Sequence, residues 1–180
     1  MPPPHQHPRT PRSAPRLRLV GAASLALVAA LGCATEAPTQ PARWTVIVSP
    51  DAPWPVRQTA DDVAAYLGQM GQVVDRAEAT PARCEPGRAQ IVFVGDGVAG
   101  AAVEEDSTTN DQSFRIHERR CADAGALVEL AGAGLLGRQY AGYEWLHRMG
   151  VRFFHPEQEY VPPAPVWPEQ ARSWQHTPDF

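Results

Sequence analysis

The chain has 180 residues, 43% hydrophobic and 20% charged, with a formal charge of −4 and no lysine among its 16 basic residues. That composition excludes a disordered or fibrous protein, and the length suits one domain but falls short of a complete (β/α)8 barrel of about 200–250 residues. The charge is split, with +4 in residues 1–32 (Arg9, Arg12, Arg16, Arg18) and −8 in the remainder; an acidic body argues against nucleic acid as a partner, because phosphate binding needs a basic face.

Residues 1–18 are rich in proline and arginine, and Leu19 to Leu31 follow without a charge. A basic stretch leading into an apolar run of this length reads as a secretory signal peptide, residues 1–32, and the run is shorter than the ~20 residues of a spanning helix. It ends in Ala30-Leu31-Gly32-Cys33-Ala34, which resembles the lipobox of bacterial lipoproteins, in which Cys33 becomes the lipidated N-terminus. The alternative is ordinary signal cleavage with a leftover cysteine. The lipobox reading implies an exported protein anchored to a membrane through lipid. Ala34 after the cysteine points to the outer membrane of a Gram-negative cell, on its periplasmic or surface face. Residues 33–42 then form a polar, proline-containing tether.

The folded part opens with Trp44 to Val48, a β-branched run that predicts a strand. Val56 to Met70 predicts a helix, because Val56, Ala60, Val63, Leu67 and Met70 recur at spacings of three and four, with Gly71 as its C-terminal cap. Val73-Val74 begins a weaker strand, and Ile91 to Val94 reads as a central strand buried on both faces. Phe114 to Glu118 and Ala126 to Leu130 alternate and predict a hairpin around Cys121 to Gly125. A second helix is expected over Leu135 to Met149, capped by Gly150, with Leu136, Tyr140, Tyr143 and His147 on its buried face and Leu146 beside it; on that reading Leu136→Ala costs about 2–4 kcal/mol. A last strand, Val151 to Phe154, completes an α/β (α+β) two-layer sandwich, two main helices packed on a mixed sheet. The domain is bounded at 43–161, and 162–180, rich in proline and tryptophan, reads as a linker.

With Cys33 lipidated, Cys84 and Cys121 remain in an oxidising compartment. If the strands at Ile91 and Phe114 pair antiparallel, the start of one lies near the end of the other, and a Cys84–Cys121 disulfide is expected. Neither cysteine has a Cys-x-x-Cys partner or a histidine cluster, so no metal site is expected.

Candidate chemistry is sparse. Gly95-Asp96-Gly97-Val98-Ala99-Gly100 spells a dinucleotide fingerprint after a strand, but Ser107 to Asp111 leaves no room for the crossover helix. It reads as a glycine-rich turn, and no cofactor is expected. The acidic pairs Asp61/Asp62, Glu104/Glu105 and Glu157/Glu159 read as hydrated faces, since glycoside hydrolysis needs two carboxylates facing each other across a cleft. The histidines form no triad. Trp44, Trp54, Trp145, Trp167 and Trp174 could each stack on a sugar; Trp44 and Trp145 read as core, and Trp54, flanked by prolines, is the candidate exposed platform.

Three segments carry a family resemblance. Thr59 to Leu67 matches an "AA-x-x-L-x-x-YL" helix, Gly95 follows an apolar strand as in an "IVVG" element, and Gly137 to Pro156 with Tyr160-Val161-Pro162 is the most specific. This last segment is similar to the "G-x-x-Y-A-x-Y-x-F-L-E-x-x-G-x-R-W-x-x-P" stretch in the N-terminal domain of bacterial α-glucuronidases. It is also similar to the related second domain of β-N-acetylhexosaminidases. The resemblance covers roughly residues 43–163 and implies an α/β domain preceding a catalytic barrel. The family's catalytic acids lie in that barrel, so none is carried onto this sequence, and the chain as it stands is not expected to be an active hydrolase. The implied role is the accessory domain of a glycoside hydrolase in polysaccharide breakdown, with 162–180 leading toward the barrel and polysaccharide or the barrel as partner. The alternative is a stand-alone surface module that binds carbohydrate or protein.

Overall fold

The computed structural model describes residues 41, 43–78, 82–98, 111–155, 157–167 and 170–177. The signal peptide, Cys33, and the Glu104/Glu105 pair lie outside them. Strands β1 (Arg43–Val48), β2 (Val74–Glu78), β3 (Arg88–Phe93), β4 (Phe114–Arg120), β5 (Ala126–Gly132) and β8 (Ser173–His176) form one sheet in the order β2-β1-β3-β5-β4-β8. Four of them, β1, β2, β3 and β5, run parallel, and β4 is antiparallel to both of its neighbours. Strands β6 (Arg152–His155) and β7 (Gln158–Tyr160) form a separate hairpin.

Helices α1 (Trp54–Gln69) and α2 (Leu135–Arg148) pack on one face of the sheet. Trp44, Val46, Ile91, Phe93, Ile116 and Val128 point into a shared core with Val56, Val63 and Leu67 of α1 and Trp145 and Leu146 of α2. The alternate residues Ile47, Val92 and Leu127 join Val94, Val98 and Ala131 in a smaller cluster. Two-sided burial of β3 explains why Ile91-Val92-Phe93 reads as a continuous apolar run rather than an alternating one. The fold is the expected two-layer sandwich on a mixed sheet.

Both helices end as the glycines predict. Gly71 adopts φ +77° and Gly150 φ +104°. In each case the glycine N–H and the next N–H return to carbonyls of the last turn: Gly71 to Gly68 and Gln72 to Leu67, Gly150 to His147 and Val151 to Leu146. This is the Schellman arrangement, which needs a left-handed residue at that position. At the other end, α1 begins at Trp54, two residues earlier than expected, because Pro55 is tolerated in a first turn whose N–H groups have no helical partner.

Four expectations are corrected. The buried face of α2 comprises Gly137, Ala141, Gly142, Trp145 and Leu146, whereas Leu136 is 36% exposed and Tyr140 and His147 are also exposed. The helix lies close to its neighbours along this face: a methyl group at Gly142 would collide with Thr59 and press on Phe93. Small residues therefore occupy the core side and the larger Leu136 and Tyr140 are turned outward. The large penalty expected of Leu136→Ala does not hold for a side chain in that position.

The segment after Gly150 departs from expectation twice. The last predicted strand is β6, which pairs with β7 and leaves Phe153 and Phe154 exposed. Part of the predicted linker belongs to the domain: Trp167 is buried against Trp44 with ring centroids 5.0 Å apart, and Ser173–His176 adds the edge strand β8 to β4.

The Cys84–Cys121 disulfide is formed, with Cα atoms 5.3 Å apart, but not for the reason expected. Strands β3 and β4 do not pair; β5 runs between them, parallel to one and antiparallel to the other. The start of β3 and the end of β4 still share one end of the sheet, since Ala126 of β5 pairs with both Ala89 and Arg120. Gly125 allows the loops to meet there, because a side chain at that position would strike the Glu85 carbonyl.

A groove between the second helix, a hairpin and the edge strand

The outward turn of Leu136 and Tyr140 gives α2 an exposed aromatic face. A groove of about 860 Å³ opens along it. Tyr140, Tyr143, Glu144, His147 and Arg148 of α2 form its floor, Arg152, Phe153 and Phe154 of β6 one wall, and Trp174, Gln175 and His176 of β8 the other, with Gln112 and Phe114 at one end.

The hairpin wall is held by aromatic contacts and two phenols. Phe153 meets Tyr66 of α1 and Tyr143 of α2 edge-on, at 5.6 and 5.9 Å between centroids. The Tyr66 hydroxyl donates to Glu159 of β7, and the Tyr143 hydroxyl donates to Asp62 Oδ2 at 2.6 Å. Burial, and then the carboxylate each donates to, raises both phenols, Tyr143 to about 12, so both remain protonated donors at neutral pH. Arg152 Nη1 donates to the carbonyls of His147 and Val151 and fixes the start of the hairpin to the end of α2.

Arginine–tryptophan stacking holds the opposite wall. The Arg148 guanidinium lies 4.1 Å over the Trp174 ring, with Arg172 at 6.0 Å, and Arg120 lies 4.5 Å over Trp167. Glu118 N–H donates to the Arg172 carbonyl at 2.7 Å, and Val166 N–H to the Met149 carbonyl at 2.9 Å. The Glu118 side chain is only 4% exposed. Its Oε1 accepts from Trp145 Nε1 at 3.2 Å, while Oε2 has no hydrogen-bond partner among the described residues.

Burial pushes the Glu118 carboxyl above its ordinary 4.5, against the Trp145 hydrogen bond and the charges of Arg120, Arg172 and Arg148. A carboxyl raised on folding stabilises the native state while it is protonated, below its unfolded value, and that stability is lost as pH rises through the folded value. Glu118→Gln retains an acceptor for Trp145 without the buried charge. We therefore expect this variant to melt above the wild type at pH 7 and to lose that advantage at about pH 4. Melting curves at both pH values check it; a variant that melts lower at pH 7 would show that the arginines outweigh burial.

The residues singled out from the sequence lie largely elsewhere. Trp54, the candidate sugar platform, is 69% exposed at the first turn of α1 and does not line the groove. Asp61 pairs with Arg76 at 2.9 Å, Asp62 accepts from Tyr143 and from Gln58, and Glu159 accepts from Tyr66. Gly95 to Val98 form a tight turn with positive φ at Gly95, Asp96 and Gly97, closed by reciprocal bonds between Gly95 and Val98 and ion-paired through Asp96 to Arg138. Ala99 and Gly100 lie outside the described residues. Among the described residues no group of three His, Cys, Asp or Glu side chains gathers to hold a metal ion, and no helix is long and apolar enough to cross a membrane.

Sequence patterning does not mark Tyr140, Phe154 or His176 as site residues. A signal for them exists, since nine of the chain's 14 aromatic residues follow Gln139. No family model and no curated protein matches the chain.

Proposed function

We propose that the chain is a non-catalytic domain of an exported, lipid-anchored protein engaged in polysaccharide breakdown, and that the groove is where it holds glycan. One observation carries the reading: exposed Tyr140 and Phe154 stand in the same groove as the hydrogen-bonding groups of Glu144, His147, Gln175 and His176. A pyranose ring presents an apolar C–H face and a rim of hydroxyls, and such a lining matches both: aromatic area for the face, mixed donors and acceptors for the rim. The resemblance of Gly137 to Pro156 to the domain that precedes the barrel of α-glucuronidases supports an accessory role, with the chemistry of bond cleavage performed by the barrel of such enzymes. The Cys84–Cys121 disulfide is consistent with an oxidising compartment outside the cytoplasm.

Electrophoresis through gels containing soluble polysaccharide tests this. Wild-type protein is expected to be retarded by at least one of xylan, β-glucan or glycol chitin, and Phe154→Ala or Tyr140→Ala to migrate freely. If Trp54→Ala abolishes retardation and those two do not, the glycan site is at the start of α1. Migration unaffected by every polysaccharide would overturn the reading.

A further inference from the structure

Resting on the reading of the groove as a glycan site, we infer that its ligand is a neutral glycan, seated by sugar faces on Tyr140 and Phe154 and not by a carboxylate or sulfate group. The charged residues in the lining are Glu144, Arg148 and Arg152. Each arginine is already engaged through an Nη atom, although the buried Arg148 Nε has no hydrogen-bond partner among the described residues. Arg148 Nη2 lies 2.8 Å from Glu144 Oε1, and the flat of its guanidinium covers Trp174. Arg152 Nη1 donates to the carbonyls of His147 and Val151. The first of these belongs to the last turn of α2, where a helix carries about half a negative charge.

Glu144 therefore neutralises Arg148, and the helix end offsets part of the remaining formal +1. An anionic sugar would have to draw Arg148 from Glu144 or Arg152 from the end of the helix, exchanging one charge-assisted contact for another. A hydroxyl needs no such exchange, because it can donate to Glu144 while accepting from a neighbouring donor.

The same contacts decide which aromatics are available. Arg148 stacks on Trp174 and Arg172 lies nearby, so Trp174 serves to position the β8 wall and to brace Arg148. Tyr140, 40% exposed, and Phe154, 71% exposed, line the groove from different elements, one on the helix and one on the hairpin. Two platforms on separate elements suit a chain of several sugars better than a monosaccharide.

The test is titration of the purified protein, followed by tryptophan fluorescence, with cellohexaose, xylohexaose and chitohexaose against hexagalacturonate and a heparin hexasaccharide. At least one neutral hexasaccharide is expected to bind, with an affinity little changed between low salt and about 0.5 M salt. Phe154→Ala and Tyr140→Ala are each expected to weaken it by about tenfold, equivalent to ~1.4 kcal/mol. Circular dichroism would verify that these exposed-site variants remain folded. Tighter binding of hexagalacturonate or the heparin fragment, or an affinity that collapses with salt, would overturn the neutral-glycan inference while leaving the groove as a glycan site. Binding of none of the five would remove the glycan reading itself.

Discussion

Trp145→Ala is expected to lower the stability of the domain by about 3–5 kcal/mol, the range for truncating a buried tryptophan. Trp145 is fully buried, stacks at 5.9 Å against Trp44, and donates its Nε1–H to Glu118. The variant opens a cavity at the junction of α2 and the sheet, and it removes the hydrogen bond that the buried Glu118 carboxylate accepts from the indole, so two destabilising effects coincide. For a domain of this size the fall in melting temperature is about 9–15 °C, at roughly 3 °C per kcal/mol. Leu136→Ala is the matched control: its side chain is partly exposed, and the change should cost no more than about 0.5–1 kcal/mol. Thermal denaturation of the two variants side by side checks the phase of α2. Equal losses would place the helix face wrongly.

Removing the disulfide is expected to have the second largest effect. Cys84 and Cys121 are separated by 37 positions, and a cross-link closing a loop of that length stabilises by about 3–4 kcal/mol on the chain-entropy account. A Cys84→Ser/Cys121→Ser variant should lose that much unfolding free energy and reach its denaturant midpoint earlier, with the slope changed through a less restricted unfolded chain. Treating the wild type with reductant should reproduce the shift. Two free thiols titrated in non-reduced protein would contradict the pairing.

The strands were legible because the residues that form them sit in environments that leave a mark on sequence. Ile91-Val92-Phe93 is apolar throughout since both faces of β3 are covered, and β4 alternates since Ile116 faces the helices while its neighbours do not. The caps were legible because a left-handed turn selects glycine at Gly71 and Gly150. The phase of α2 was not, because its closest approaches are made by Gly137, Ala141 and Gly142, which a hydrophobic periodicity does not weigh as core. Close packing of helix on helix and sheet favours small residues, and it pushed the larger Tyr140 to the surface.

The groove was hidden for a different reason. Its residues come from 112–114, 140–148, 152–154 and 174–176, and no local pattern joins them. Trp167 and Trp174 lie among prolines that disguise them as linker, yet one completes the core and the other braces a wall. The disulfide was foreseen through a strand pairing that does not exist. The expectation held because β5 runs between β3 and β4 and the start of β3 and the end of β4 lie at the same end of the sheet.

If the groove along α2 holds glycan, chemical-shift mapping of isotopically labelled protein titrated with a soluble neutral hexasaccharide should show shifts concentrated at Tyr140, Phe154, Gln175 and His176 and at the Trp174 indole, with Trp54 unmoved. Shifts centred on Trp54, or none at saturating sugar across the neutral series, would contradict it.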